Sequence, residues 1–160
     1  MDSTTAKTKQ PRTSLIAYTT FKRLSHHPKL KVTQKGTKVL QTFVDKMVCR
    51  VVRDAISVCS GKTLRARDVE TVARIYGSLG FCVLDDNPPN TLPRALAHSV
   101  RKSLGVKVRL QKDTFDILKK VYAGCTKLVM TALLSHGLEK RVTHKLVPSL
   151  MSSTNLTFFN

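Results

Sequence analysis

An all-α fold is predicted by three observations. First, apolar pairs recur every four residues along one stretch: Val39-Leu40, Phe43-Val44, Met47-Val48, Val51-Val52 and Ala55-Ile56, followed by Val58 and Cys59. That spacing is helical and excludes a strand. Second, the layout of Val32–Gly61 returns 76 positions later as Val108–Gly137, with a stripe of Phe115, Leu118, Val121, Tyr122, Cys125, Leu128, Val129, Ala132 and Leu133. Third, a short helical segment flanks each long one on both sides, so a short–long–short order occurs twice. One long striped helix cannot bury its face alone. Two can bury their faces against each other, so the chain reads as a dimer-like unit in one polypeptide.

Residues 1–12 are polar and basic (Lys7, Lys9, Arg12) with Pro11, and read as a disordered tail. The first unit is expected over residues 13–80. It opens with a short helix, Ser14–Ser25, capped by Thr13 or Ser14 and ended by His27-Pro28. A basic loop, Pro28–Val32, leads to the long helix from Gln34 to Ser60, roughly 40 Å at 1.5 Å per residue. Its other face is polar: Lys38, Gln41, Asp45, Lys46, Arg50, Arg53, Asp54 and Ser57. Gly61 is expected to end it as a left-handed cap. Lys62-Thr63-Leu64 forms an extended loop. A third helix follows over Ala66–Tyr76, with Val69, Val72, Ala73 and Tyr76 inward and Gly77 and Gly80 at its end.

Residues 81–91 (FCVLDDNPPNT) read as a turn-rich linker. The second unit, residues 92–152, repeats the order. Leu92–Leu104 is a short helix with Pro93 in its first turn, Val106–Arg109 a basic loop and Gln111–His136 the long helix. Glu139–Val142 is a second loop, and Thr143–Ser152 a short helix weakened by Pro148. Residues 153–160 are expected to fray.

The 160 residues suffice for a sizeable core. Lys plus Arg number 28 and Asp plus Glu 10, a net charge of +18. Residues 1–80 carry 16 basic and 5 acidic groups, and residues 81–160 carry 12 and 5, so both halves are basic. Such an excess points to a polyanionic partner, nucleic acid before an anionic membrane. The apolar stretches are interrupted by charge, so no membrane span is expected. Met1–Arg12 holds no apolar segment of the kind a secretory leader carries. Cys49, Cys59, Cys82 and Cys125 lack metal-ligand spacing and read as buried, reduced thiols. No glycine-rich phosphate loop, GxSxG or HExxH is present.

Phe21–Met47 (FKRLSHHPKLKVTQKGTKVLQTFVDKM) resembles core histone 2B from its first helix into its long one. The resemblance rests on the His27-Pro28 turn, the β-branched Val32 before a Ser/Thr-rich helix start, and the Phe43-Val44-Asp45 step. KTLRARDVETVAR (Lys62–Arg74) resembles that family's second loop and third helix, with Asp68 where an acid is usual. In the second half Gly105–Arg109, the helix, and Arg141-Val142-Thr143 fit the histone 2A slot by order and position. Together the halves resemble the fused histone doublets of giant DNA viruses, in a reduced form. LPRALAHSVRKSL (Leu92–Leu104) also resembles the extra C-terminal helix of histone 2B, so it fits either the first helix of the second unit or that extra helix.

This resemblance implies two histone folds in tandem, paired as an intramolecular heterodimer, although the linker also permits a swap between chains. The implied function is packaging of duplex DNA into nucleosome-like particles. Other core histones, an inner pair and possibly itself fused, are the implied protein partners. The implied location is the virion or viral DNA compartment, otherwise nuclear chromatin. No acidic docking patch is expected, because the second long helix carries Lys119, Lys120 and Lys127 against Asp113 and Asp116. A buried Arg–Asp clamp through Asp68 is implied in the first half alone.

In such a pair the long helices cross antiparallel, and each first loop lies beside the other unit's second loop. That would join Lys29 and Lys31 to Lys140 and Arg141 at one end, and Lys107 and Arg109 to Lys62, Thr63 and Arg65 at the other. The two first helices would bring Lys22 and Arg23 near Arg101 and Lys102. Helix N-termini would add backbone N–H donors for phosphates. Contacts of this kind follow the DNA backbone, not base identity. Arg109 is the candidate for minor-groove insertion.

Plainer readings exist for most of these residues. The loop cations could be solvated charges, and for Lys38, Lys46, Arg50 and Arg53 the solvated reading is the stronger one. Lys7, Lys9 and Arg12 fit a DNA-reaching tail or a targeting signal equally. His26, His27, His98, His136 and His144 have the wrong spacing for zinc, and no metal or cofactor is expected. Phe21, Phe43, Phe115 and Tyr122 fall on core stripes. Asp113 and Asp116 suit a helix start, and Asp68 suits a structural pairing with Arg65 or Lys62. No carboxylate or histidine constellation suggests an enzyme. The competing binding role is a histone-fold subunit of a transcription or replication complex, which an exposed apolar strip on the third helices would favour.

Overall fold

The computed structural model describes residues 14–59, 61–135 and 141–159. These form six α-helices: α1 (Tyr18–Leu24), α2 (Gln34–Val58), α3 (Ala66–Ser78), α4 (Leu96–Leu104), α5 (Thr114–Leu134) and α6 (Leu146–Ser152). Two short strands, β1 (Thr63–Leu64) and β2 (Arg109–Leu110), and a closing 3₁₀ turn over Asn155–Phe159 complete them. The chain is mostly helical, as the periodicity predicts. No described helix is long and apolar enough to cross a membrane.

The core forms where α2 packs on α5. Leu40, Val44, Met47, Val48, Val51, Val52 and Ala55 are buried from α2, and Leu118, Val121, Tyr122, Cys125, Val129 and Leu133 from α5. Burying each large aliphatic side chain contributes about 1.5–3 kcal/mol. The direction of the pair follows from its ends. β1, which follows α2, pairs in parallel with β2, which precedes α5, in the register Thr63↔Arg109 and Leu64↔Leu110. Val32, just before α2, bridges in parallel to Val142, beyond α5. The two long helices therefore run antiparallel.

A buried polar link crosses this interface. The Tyr122 hydroxyl donates to Asp45 Oδ1 (2.7 Å), and the Leu15 N–H donates to Asp45 Oδ2 (3.0 Å). Gln41 Nε2 donates to the Ile16 carbonyl (2.8 Å). These side chains of α2 hold Ser14–Ala17 out of the helix, bent at Leu15 and Ile16 with both side chains buried, so α1 starts at Tyr18 rather than at Ser14. Burial pushes the Asp45 carboxyl up to about 6, although both hydrogen bonds pull it down. Burial and the facing carboxylate push the Tyr122 hydroxyl upward.

Several boundaries depart from expectation. Helix α2 is capped by Thr33, whose side chain accepts the Gly36 N–H (3.0 Å), and it ends at Val58 with Cys59 extended instead of a left-handed glycine. Gly77 lies inside α3, and only Gly80, at φ +96°, takes the left-handed conformation after it. Pro93 precedes α4 and accepts the Leu96 N–H. Helix α5 runs from Thr114 to Leu134, two or three residues shorter at each end; Gly137 lies outside the described residues. Pro148 falls in the first turn of α6, where its missing N–H costs no helical bond.

Two segments expected to be loose belong to the core. In residues 81–91, Phe81 and Val83 are buried, the Asp85 N–H donates to the Lys120 carbonyl (3.0 Å), and Lys127 pairs with Asp85 (3.0 Å). That strap covers α5, which explains why Val121 to Thr126 are all buried. After residue 152, Leu156 and Phe159 are buried; Phe158 stacks on Phe81, and the other contacts of Phe158 and Phe159 with Tyr76 and Phe81 are edge-on or tilted. The cysteines are free as expected, but only Cys125 is buried; Cys49 and Cys59 are half-buried and Cys82 is exposed.

Gly124 is the point of closest approach between strap and helix. A Cβ there would lie 2.3 Å from the Val83 carbonyl carbon and oxygen and 2.6 Å from the Leu84 nitrogen, all backbone atoms that cannot swing aside. Gly124→Ala should lower the unfolding free energy by roughly 1–3 kcal/mol in urea titrations. Gly77→Ala, with no atom within 4 Å, should raise it by up to ~1 kcal/mol. For Asp45, the folded chain holds a proton more tightly than the unfolded chain, so stability should rise as pH falls through 6 towards 4. The stability of Asp45→Asn relative to wild type should therefore drop by about 2 kcal/mol between pH ~7.5 and pH ~4.5.

Candidate nucleic-acid interface

The antiparallel pairing of α2 and α5 brings loops together at both ends of the molecule. At one end the Arg109 N–H donates to the Lys62 carbonyl (2.9 Å) and the Gln111 N–H to the Leu64 carbonyl (3.0 Å). The backbone bonds leave Lys62, Arg65, Lys107 and Arg109 exposed, with Thr63 half-buried between them. Arg109 sits on β2, so its backbone is extended and tied to β1, not on a free loop. A small cleft of about 190 Å³ is lined by Lys62, Thr63, Arg65, Arg67 and Asp68 together with Gly61.

At the other end the Val142 N–H donates to the Lys31 carbonyl (2.7 Å) and the Thr33 N–H to the Val142 carbonyl (2.9 Å). This sets the exposed Lys31 and Arg141 side by side. Lys29 is exposed in the turn between the bridged His27 and Leu30, and its N–H donates to His27 Nδ1 (3.1 Å). Gly36 accepts this close packing because it lacks a side chain: a Cβ there would meet the Val142 oxygen at 2.9 Å. Lys140 lies outside the described residues, as do Lys7, Lys9 and Arg12.

The cations of the expected middle patch lie at the ends of two helices. Lys22 and Arg23 occupy the last turn of α1, and Arg101 and Lys102 the last turn of α4, all exposed. The end of α4 reaches the opening of α1, since Ser103 and Leu104 line one groove with Ser14 and Tyr18. Lys22 and Arg23 lie at the far end of α1 from Ser14. Cations in a last turn also offset the helix's carbonyl end, which gives these four a local role without any ligand.

Helix N-termini contribute less than expected. The Ala66 N–H at the start of α3 donates to Asp113 Oδ1 (3.3 Å), and the Arg65 N–H donates to Asp68 Oδ2 (3.0 Å). Those donors are occupied, and two carboxylates sit among the cations. Asp68 thus caps α3 rather than clamping an arginine side chain. Asp113 links the two halves, a role that its place at a helix start does not reveal. Ion pairs among the described residues are Arg74–Glu70 and Lys127–Asp85, which use none of the loop cations.

The sequence reading omits four exposed cations that belong with these ends: Arg67 and Lys112 beside β1 and β2, and Lys35 and Lys145 at the starts of α2 and α6. Each is within four residues of a loop cation it did include, so sequence adjacency was the available signal. Comparison of the sequence with protein-family models and with curated proteins found no match.

Proposed function

We propose that this chain is a histone doublet that binds and packages duplex DNA through sequence-independent phosphate and minor-groove contacts. The observation that carries the reading is the pair of parallel loop bridges, Thr63↔Arg109 and Val32↔Val142, at opposite ends of two antiparallel long helices. Each bridge joins a loop from one half to a loop from the other, and each is flanked by exposed cations. A short–long–short helix order in both halves supports two paired histone folds. In this reading α4 serves either as the first helix of the second fold or as an appended helix of the first.

DNA bound to both ends would release counterions to solvent as Lys31, Arg141, Lys62, Arg65, Lys107 and Arg109 neutralise its phosphates, and affinity would fall steeply with salt. Arg109 suits a minor groove, since guanidinium fits a narrow, negative channel. An inner pair of core histones would complete a particle, within a virion or viral DNA compartment.

A second reading is a histone-fold subunit of a transcription or replication complex, held mainly by protein contacts. Ile75 and Leu79, on α3 and just after it, are 54% and 57% exposed, an apolar strip of the kind that marks a protein interface.

Binding of duplex DNA should show a log–log salt slope that Arg109→Ala/Arg141→Ala reduces by about 2, one step of ~0.9 for each lost phosphate contact. An unchanged slope would move the DNA elsewhere on the protein. Nuclease digestion of DNA reconstituted with this chain, alone and with core histones, should leave a discrete protected length. A smear, together with loss of a protein partner on Ile75→Asp/Leu79→Asp, would favour the second reading.

A further inference from the structure

The outer face of α2 forms a groove of about 810 Å³ that the bridged loops do not enter. Its floor is α2 from Lys38 to Arg53. Ser14 and Tyr18 from the start of α1, Ser103 and Leu104 from the end of α4, and Phe159 supply its walls.

Four cations line it: Lys38, Lys46, Arg50 and Arg53. Two are held by contacts with aromatic rings, and Arg50 also lies near the Tyr76 hydroxyl that donates to Asp54, which offsets part of its charge. Lys38 Nζ lies 5.6 Å from the centre of the Tyr18 ring. Arg50 sits over the Phe158 ring at 5.2 Å and donates from Nη1 to the Phe158 carbonyl (3.0 Å). The acid in the lining, Asp45, is buried and commits both oxygens to Tyr122 and Leu15.

The dimensions suit a single extended chain. From Lys38 to Arg53 α2 rises about 22 Å. Spread over that length, 810 Å³ corresponds to a channel with a section of roughly 35–40 Å². A strand covers the length in about seven residues. Lys38 and Lys46 are separated by about 12 Å and Lys46 and Arg50 by about 6 Å, which matches side chains on one face of a strand, about 6.6 Å apart or a multiple of it. A duplex, whose major groove alone is ~12 Å wide, cannot enter. Single-stranded nucleic acid would need free aromatic faces, whereas Tyr18 is covered by Lys38 and Phe159 packs against Tyr76, Phe81 and Phe158. The residues before Ser14 carry Lys7, Lys9 and Arg12 against Asp2, the wrong sign to fill the groove.

We propose that this groove docks an extended acidic segment of a partner protein, with carboxylates on alternate residues set against Lys38, Lys46 and Arg50, and Arg53 beyond them. The site is separate from the bridged loops, so it stands whether or not those loops hold DNA.

Fluorescence anisotropy with a fluorescein-labelled peptide of alternating glutamate and serine, at near-physiological salt, tests this. Lys46→Glu/Arg53→Glu should weaken binding about tenfold or more. Arg109→Glu/Arg141→Glu, the same charge change, should alter it by no more than about threefold while weakening duplex DNA binding. Bound peptide should also slow maleimide alkylation of Cys49, which lines the groove, and leave the exposed Cys82 unchanged. Equal losses from the two charge reversals would reduce the effect to general attraction by a +18 chain and overturn the proposal. So would unprotected Cys49, or stronger protection by oligothymidylate than by the peptide. Should the groove variant fail to fold by circular dichroism, Cys49 protection in the unmutated protein decides the question.

Discussion

The packing of α2 against α5 is the constraint on which everything else depends. Each helix presents an apolar stripe that water penalises and that neither can cover with its own short neighbours. Once the stripes meet, the direction of the pair is set, and with it the meeting of loops from opposite halves. The Asp45–Tyr122 hydrogen bond crosses the same interface. It leaves a carboxylate in a place that raises its proton affinity, tolerated because both oxygens find donors.

Electrostatics follow from this geometry and do not create it. A net charge of +18 opposes compaction, and the structure answers by sending its cations outward. Loop bridges tie backbone groups to each other and leave the adjacent cationic side chains exposed. The same ends also hold Asp68 and Asp113, which cap α3 and reduce the local positive field. The positive character there rests on side chains, and helix dipoles add little. Along α2 the cations serve a different surface, lined with carbon from Tyr18, Leu104 and Phe159. The two ends and the groove along α2 are distinct cationic surfaces in one small molecule.

Much of the fold was legible because helical periodicity is a local property. The inward set Val69, Val72, Ala73 and Tyr76 of α3 was readable from spacing and is buried, whereas from the stripe of α2 Leu40, Val44, Met47, Val48, Val51, Val52 and Ala55 are buried, Val39, Phe43, Ile56 and Cys59 are half-buried and Val58 is exposed. Ends were less legible. Ser14–Ala17 has the composition of a helix start, yet Asp45 and Gln41, some 25 to 30 residues away, claim its backbone groups. FCVLDDNPPNT has the composition of a free linker, and its proline pair does preclude regular structure. What composition cannot convey is that Gly124 offers a notch into which the Val83 backbone fits. The last residues, NLTFF, are short and flanked by polar residues, so their docking on Tyr76 and Phe81 was hidden. Of the candidate site, the cations adjacent to the two bridges were readable from loop position. Arg67 and Lys112 were signalled only by adjacency to such a cation, because their direction depends on the turn that follows each strand.

Sequence alone determined the helical class, the twofold short–long–short order and the positive excess in both halves. These depend on residue type and on spacing within one helix, which no distant contact can alter. Tertiary structure alone decided that the linker is a strap, that Asp113 caps a helix of the other half, that the closing turn belongs to the core, and that four cations of α2 border a groove. Each of these arises where segments far apart in the chain compete for the same backbone donors or the same volume, and that competition is resolved only when the two long helices are in contact.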